Sequence, residues 1–136
     1  MKTTTTRLMI ATALLALATG VASAQVLQAN IPFAFRVGNK VMAPGDYRVR
    51  VNGRIVTLAN YEAKSTAILT PVSTGDPDEA WKVKGDPVLS FACGAGGCAL
   101  DRMWTGESPA YRFSHRSLAP EQRAAITEIR MVRSTE

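Results

Sequence analysis

The sequence predicts a mainly β protein: a single β-sandwich or small barrel of about seven to nine short antiparallel strands, with a short helical turn near the C-terminus. Three observations predict it. Apolar residues alternate with polar ones over short runs. Turn signals recur along the chain at short intervals. Two cysteines flank a glycine-rich tetrapeptide in the middle of one such run.

The N-terminus is read first because it bounds the rest. Lys2 and Arg7 are the charges of the first seven residues, and Leu8 to Ala18 is apolar except for Thr12. Gly20 and the small run Val21-Ala22-Ser23-Ala24 follow. A basic start, a short apolar stretch and an Ala-x-Ala ending describe a cleavable secretory signal, with cleavage after Ala24. The apolar run is shorter than the ~20 residues that a membrane-spanning helix needs. No later stretch could cross a membrane as a helix. The expected location is the periplasm or the exterior.

The mature domain is then residues 25–136, long enough for one domain with a real core. Sixteen basic residues become fourteen against eleven acids, and the formal net charge falls from +5 to +3. That surplus permits attraction to anionic surfaces and does not imply nucleic acid.

The mature domain opens on its clearest pattern. Ile31, Phe33, Phe35 and Val37 alternate with Pro32, Ala34 and Arg36, which predicts a strand with one apolar face. Pro32 lacks an N–H and suits an edge or the first residues of a strand. Gly38-Asn39 and Pro44-Gly45 are turn signals. Tyr47, Val49 and Val51 alternate next and run into Asn52-Gly53, a strong hairpin signal. A two-residue Asn52-Gly53 turn sets Val51 opposite Arg54, Val49 opposite Val56 and Tyr47 opposite Leu58. Tyr47, Val49, Val56 and Leu58 then share a face.

Further strands are predicted at 66–72, 81–84, 88–92, 99–104 and 111–116. Ser73 to Glu79 reads as an acidic loop, and Gly85-Asp86-Pro87 as a turn. Ser117 to Gln122, with Pro120 near its start, reads as a helical turn. The segment from Ala125 to Val132 fits a helical face or a strand; a helical turn followed by a strand is the preferred reading.

The run Ile31-Pro-Phe-Ala-Phe-Arg-Val-Gly38, followed by Met42-Ala-Pro-Gly-Asp-Tyr-Arg-Val49, resembles a group of small secreted proteins of uncharacterised function abundant in acidobacteria. That group opens on I-P-F-x-F-x-V-G and continues with L-P-A-G-x-Y-x-V. Here the proline of the turn stands one place later. Leu100 to Trp104 is similar to an aromatic strand of the same group. The resemblance implies export and a β-rich fold, and it implies no activity.

The candidate chemistry is sparse. Cys93 and Cys98 would face each other across a hairpin, and an even cysteine count in an exported chain reads as a structural disulfide. Redox and metal roles are the alternatives; the spacing is not that of a redox pair, and a metal needs more ligands than one histidine adds. His115 is the single histidine and alternates with Tyr111 and Phe113. It is a candidate general base or ligand, and as a lone histidine it also fits an ordinary half-buried position. Asp101 and Glu107 are a candidate hydrolytic carboxylate pair or plain solvated charges. Asp76, Asp78 and Glu79 form an acidic cluster without the spacing of a calcium loop. Arg102, Arg112, Arg116, Arg123, Arg130 and Arg133 make the C-terminal half basic. Trp81 and Trp104 could stack on a sugar or fill the core.

Arg102, Trp104, Arg112 and His115 are the expected ligand surface. The leading expectation is a non-catalytic binding or structural module of the periplasm or envelope, without cofactor or metal. Its expected partner is an anionic envelope polymer or another envelope protein. The alternatives are a small secreted hydrolase using Asp101, Glu107 or His115, and a protein that self-assembles through open strand edges.

Overall fold

The computed structural model describes residues 25–115 and 125–134. The expected signal segment at 1–24, the helical turn expected at 117–122, and Arg116 and Arg123 lie outside the described residues. The described chain is mainly β: two sheets packed face to face, neither closed into a barrel.

The first sheet runs β12–β1–β4–β5–β6. Its strands are β1 (Gln25–Ile31), β4 (Gly45–Asn52), β5 (Ile55–Asn60), β6 (Ser65–Leu69) and β12 (Val132–Arg133). The second runs β11–β8–β9–β10–β7, from β11 (Ala125–Arg130), β8 (Val88–Gly94), β9 (Gly97–Trp104), β10 (Ala110–Arg112) and β7 (Ser73–Gly75). To it belong β2 (Phe35–Val37) and β3 (Lys40–Met42), with β2 lying beside β9. Among the described residues all pairings are antiparallel except β2 with β9, which is parallel. Among the described residues a short helix, α1 (Glu79–Lys84), packs on the second sheet through Trp81. Among the described residues no helix is long and apolar enough to cross a membrane.

The alternating residues of each strand meet in the middle. Leu27, Ala29, Ile31, Tyr47, Val49, Val56, Leu58, Ala67 and Leu69 come from the first sheet. Phe35, Met42, Leu89, Phe91, Leu100 and Met103 come from the second, with Phe113 just after β10. Tyr47 keeps its hydroxyl satisfied inside this core by donating to the Ala43 carbonyl.

Four expectations are corrected. The strand predicted from Ile31 to Val37 is two strands in different sheets. β1 ends at Ile31, and the chain crosses at Pro32, which cannot donate to a ladder, before β2 begins at Phe35. Pro32 therefore guards no edge. The free edge of β6 is met instead by Lys40, whose Nζ donates to the Thr66 carbonyl at 2.6 Å.

The β4–β5 register is shifted by two. Asn52 pairs with Ile55, Val51 with Val56 and Val49 with Leu58, so the turn is Gly53-Arg54. Gly53 takes φ +63° while Asn52 and Arg54 keep negative φ. A turn with glycine at its first central position needs one left-handed residue, whereas Asn52-Gly53 at the centre would need two. A shift of two keeps every side chain on its face, so Tyr47, Val49, Val56 and Leu58 are buried together.

The acidic loop is part strand, since Ser73–Gly75 pairs with β10. Residues 81–84 are helical. Asp78 precedes the helix, Glu79 lies in its first turn, and Lys82 and Lys84 lie in its last. Gly85 at φ +73° closes it, with its N–H on the Trp81 carbonyl. Trp81 and Val83 would share a face in a strand. Here Trp81 is buried and Val83 is exposed.

At the C-terminal end, Ala125–Arg130 is a strand along β8. Cys93 and Cys98 are register partners at the tip of the β8–β9 hairpin and form a disulfide, with Cα atoms 4.0 Å apart. Its loop is short, so breaking it removes at most ~2 kcal/mol of stability by chain-entropy reasoning. Melting with and without reductant is expected to show a modest downward shift of one cooperative transition, not loss of the fold.

Candidate functional site

The site is built where β9 is interrupted. Phe91 pairs with Leu100 and Ser90 with Arg102, so Asp101 is an extra residue in β9, a β-bulge. A bulge re-aims side chains that strict alternation would place on opposite faces. Asp101 and Arg102 accordingly both stand on the outer face of the second sheet, while Leu100 and Met103 enter the core.

The far side of β9 is shared by two strands. β2 runs parallel beside Cys98 and Ala99, and β10 runs antiparallel beside Arg102 and Met103. They approach each other near the bulge. Pairing continues one step past β10, where the Phe113 N–H donates to the Asp101 carbonyl at 2.8 Å. Beyond that point β2 occupies the edge of β9 and the chain must leave. His115 therefore does not follow Tyr111 and Phe113 into the core. It lies across the outer face with Nε2 2.9 Å from Asp101 Oδ1.

Asp101 is buried, and three basic groups surround its carboxylate. His115 is closest, Arg102 Nε is 3.8 Å away and Arg112 Nη1 4.0 Å away. Beside this hub is an open groove of about 580 Å3, lined by Arg36, Gly38, Asn39, Ala92, Ala99 and Ser114 as well as His115. Arg36 donates to the Gly96 carbonyl at 3.3 Å, and among the described residues no carboxylate meets its charge.

The expected site residues are thus only partly gathered. Asp101 and His115 come together, with Arg112 beside them. Glu107 does not join them; it is exposed in the loop after β9, where its carbonyl accepts from Thr105 Oγ1 at 3.4 Å. Trp104, expected at a ligand surface, is 4 % exposed and packs with Trp81, Val88 and Ala110 between α1 and the sheet. Arg102 is engaged at the same place. It grips both oxygens of Asp78 at 2.9 and 3.0 Å, and its guanidinium lies 4.6 Å from the Trp81 ring centroid. Arg130 pairs with Asp86 at 3.7 Å, away from the groove. Among the described residues no three His, Cys, Asp or Glu side chains converge as a metal site would require.

No family model matches this chain, and neither a curated protein nor a solved structure matches it. The geometry is therefore the ground for any functional reading.

Arg36 and Asn39 are groove residues that sequence reasoning passed over. The signal was present: Arg36 is the charged residue on the outward side of an apolar alternation, next to the Gly38-Asn39 turn. What the pattern could not show is that β2 would lie against β9, 63 residues further along the chain.

The Arg102–Asp78 fork also sets a pH dependence. The hydrogen bond from Arg102 holds the Asp78 carboxyl below its ordinary value. A carboxyl lowered on folding contributes stability above its unfolded pKa of ~3.9 and loses that contribution as pH falls through the folded value. Asp78 is nearly half exposed, so screening limits the contribution to about 0.2–1 kcal/mol. Melting from pH 6 down to pH 2 is expected to show an acid-dependent loss that Asp78→Asn lacks.

Proposed function

We propose that the chain is exported, with a mature start at Gln25, and serves as a non-catalytic binding module of the periplasm or cell envelope. Its ligand is an acidic envelope polymer, taken on the outer face of the second sheet. Its place is among the small secreted β-rich proteins that its opening motif resembles. The observation that carries this reading is the groove at the β2–β10 junction, with Arg36 on its wall and the Asp101–His115–Arg112 hub at its side. The negative charge of Asp101 is already met by its own neighbours, so the charge offered to a ligand is that of Arg36. A cationic groove attracts polyanions at a rate and strength that salt reduces.

The test uses protein recovered from the periplasm after expression of the full chain. N-terminal sequencing is expected to begin at Gln25. On immobilised polygalacturonate the protein is expected to be retained at low salt and released as salt rises. Arg36→Ala is expected to weaken retention roughly five- to tenfold, the equivalent of about 1 kcal/mol. Retention that ignores both salt and Arg36 would overturn the reading.

A second reading has one specific observation in its favour. The Asp101–His115 contact is the kind by which an aspartate orients a histidine base in hydrolases. Here Nε2 is the nitrogen that meets Asp101, which assigns the base role to Nδ1, the nitrogen nearer the backbone. That geometry makes hydrolysis the lesser reading. Turnover of chromogenic esters or glycosides that disappears in His115→Ala would promote it.

A further inference from the structure

The outer face of the first sheet carries a second groove, of about 540 Å3, on the opposite side of the sandwich from Arg36 and His115. The strand register shows how it is built. Val132, Gln28, Arg48 and Ala59 stand in one row across β12, β1, β4 and β5. Asn30 and Asp46 are partners in the neighbouring row, and Asn30 Nδ2 donates to Asp46 Oδ1 at 2.7 Å. Tyr61 and Glu62, just past β5, close one end. At strand spacings of ~4.8 Å the row from Val132 to Ala59 is about 14 Å long, the reach of a short oligosaccharide.

The chemistry of the lining selects the ligand. Gln28 and Asn30 each offer a donor and an acceptor, and Asp46 and Glu62 accept. Hydroxyl groups donate and accept, so a polyol satisfies each of these side chains. An anion would face Asp46 and Glu62, and a small cation would face Arg48 and leave the amide donors unused. The Arg48 guanidinium lies 5.0 Å from the Tyr61 ring centroid, and Tyr61 remains 59 % exposed despite that contact. An exposed ring with a polar handle is suited to the C–H face of a sugar. Val132, also exposed, gives the other end an apolar contact.

We propose that this face is a binding cleft for neutral oligosaccharides, with Tyr61 as the stacking platform and Gln28, Asn30, Asp46 and Glu62 as hydroxyl partners. It goes beyond the acidic-polymer reading, because the ligand is uncharged and the face is the other one.

The test is calorimetric titration of the mature protein with maltohexaose, cellohexaose and chitohexaose at 0.5 M salt, where ionic attraction is screened. At least one hexasaccharide is expected to bind. Tyr61→Ala and Asp46→Ala are each expected to weaken it about tenfold or more, with unchanged melting temperature, since both side chains are exposed. Arg36→Ala is expected to leave it unchanged. Absence of binding to all three at millimolar concentration overturns the proposal, and so does binding that survives both cleft substitutions. Salt-sensitive retention on polygalacturonate is read separately, so either proposal can fail while the other stands.

Discussion

Phe91→Ala is expected to lower the stability of the β domain by about 3–5 kcal/mol, the usual cost of emptying a buried aromatic site. Phe91 is fully buried at the centre of the sandwich. Its ring meets Phe33 at 5.1 Å and Phe35 at 5.2 Å, both edge-on, and Phe35 in turn meets Tyr47 at 5.3 Å. This chain of rings joins β8, the Pro32 crossing, β2 and β4, so it ties the two sheets together. Edge-on pairs contribute ~0.5–1.5 kcal/mol each beyond their buried area. Domains of this size hold ~5–15 kcal/mol in total, so the variant should sit near the edge of folding. Urea denaturation of the oxidised protein measures it, with exposed Val41→Ala as the comparison, expected within about 0.5 kcal/mol of the parent. A loss below ~1 kcal/mol for Phe91→Ala would mean that the rings do not pack as described.

The same rings show how far the sequence could be read. The alternation Ile31, Phe33, Phe35, Val37 correctly marked apolar residues facing inward, because period-two burial is a property of each strand alone. It could not show that the run is cut at Pro32 and divided between sheets, because that depends on β4 pairing with β1 and β9 pairing with β2. Likewise the faces of the β4–β5 hairpin were legible and its register was not. Parity is written in the apolar residues, while the turn is decided by which residue takes the positive φ. β1 itself was readable and was passed over: Leu27, Ala29 and Ile31 alternate with Gln28 and Asn30. An alanine in the middle of that run is too small to weigh in a hydrophobic pattern.

The candidate site was less legible than the core. Asp101, Arg112 and His115 could be picked out by residue type. Their meeting depends on a bulge, on a strand that stops after Arg112, and on a parallel strand arriving from the N-terminal end. None of these has a local signature. Glu107 and Trp104 were equally plausible by type, and tertiary structure sends one to an exposed loop and the other beneath α1.

Trp81→Ala is the other substitution expected to have a large effect, about 3 kcal/mol or more, and its character should differ from that of Phe91→Ala. α1 has six residues, far fewer than a helix needs to persist alone in water. What holds it is Trp81, which is 1 % exposed against Val88, Trp104 and Ala110. Its indole N–H donates to Glu128 on β11, and Arg102 lies over the ring while gripping Asp78. Removing the ring takes away the packing, leaves Glu128 without that donor, and frees Arg102 from the aromatic face. The main core is separate from this cluster, so the sheets should persist while the segment around α1 opens. Hydrogen exchange at residues 79–85 is expected to accelerate far more than at β4 or β8. Trp104 fluorescence should become quenchable, and Trp81→Phe should restore most of the protection. Uniform acceleration across both sheets would show instead that α1 is an integral part of the cooperative unit.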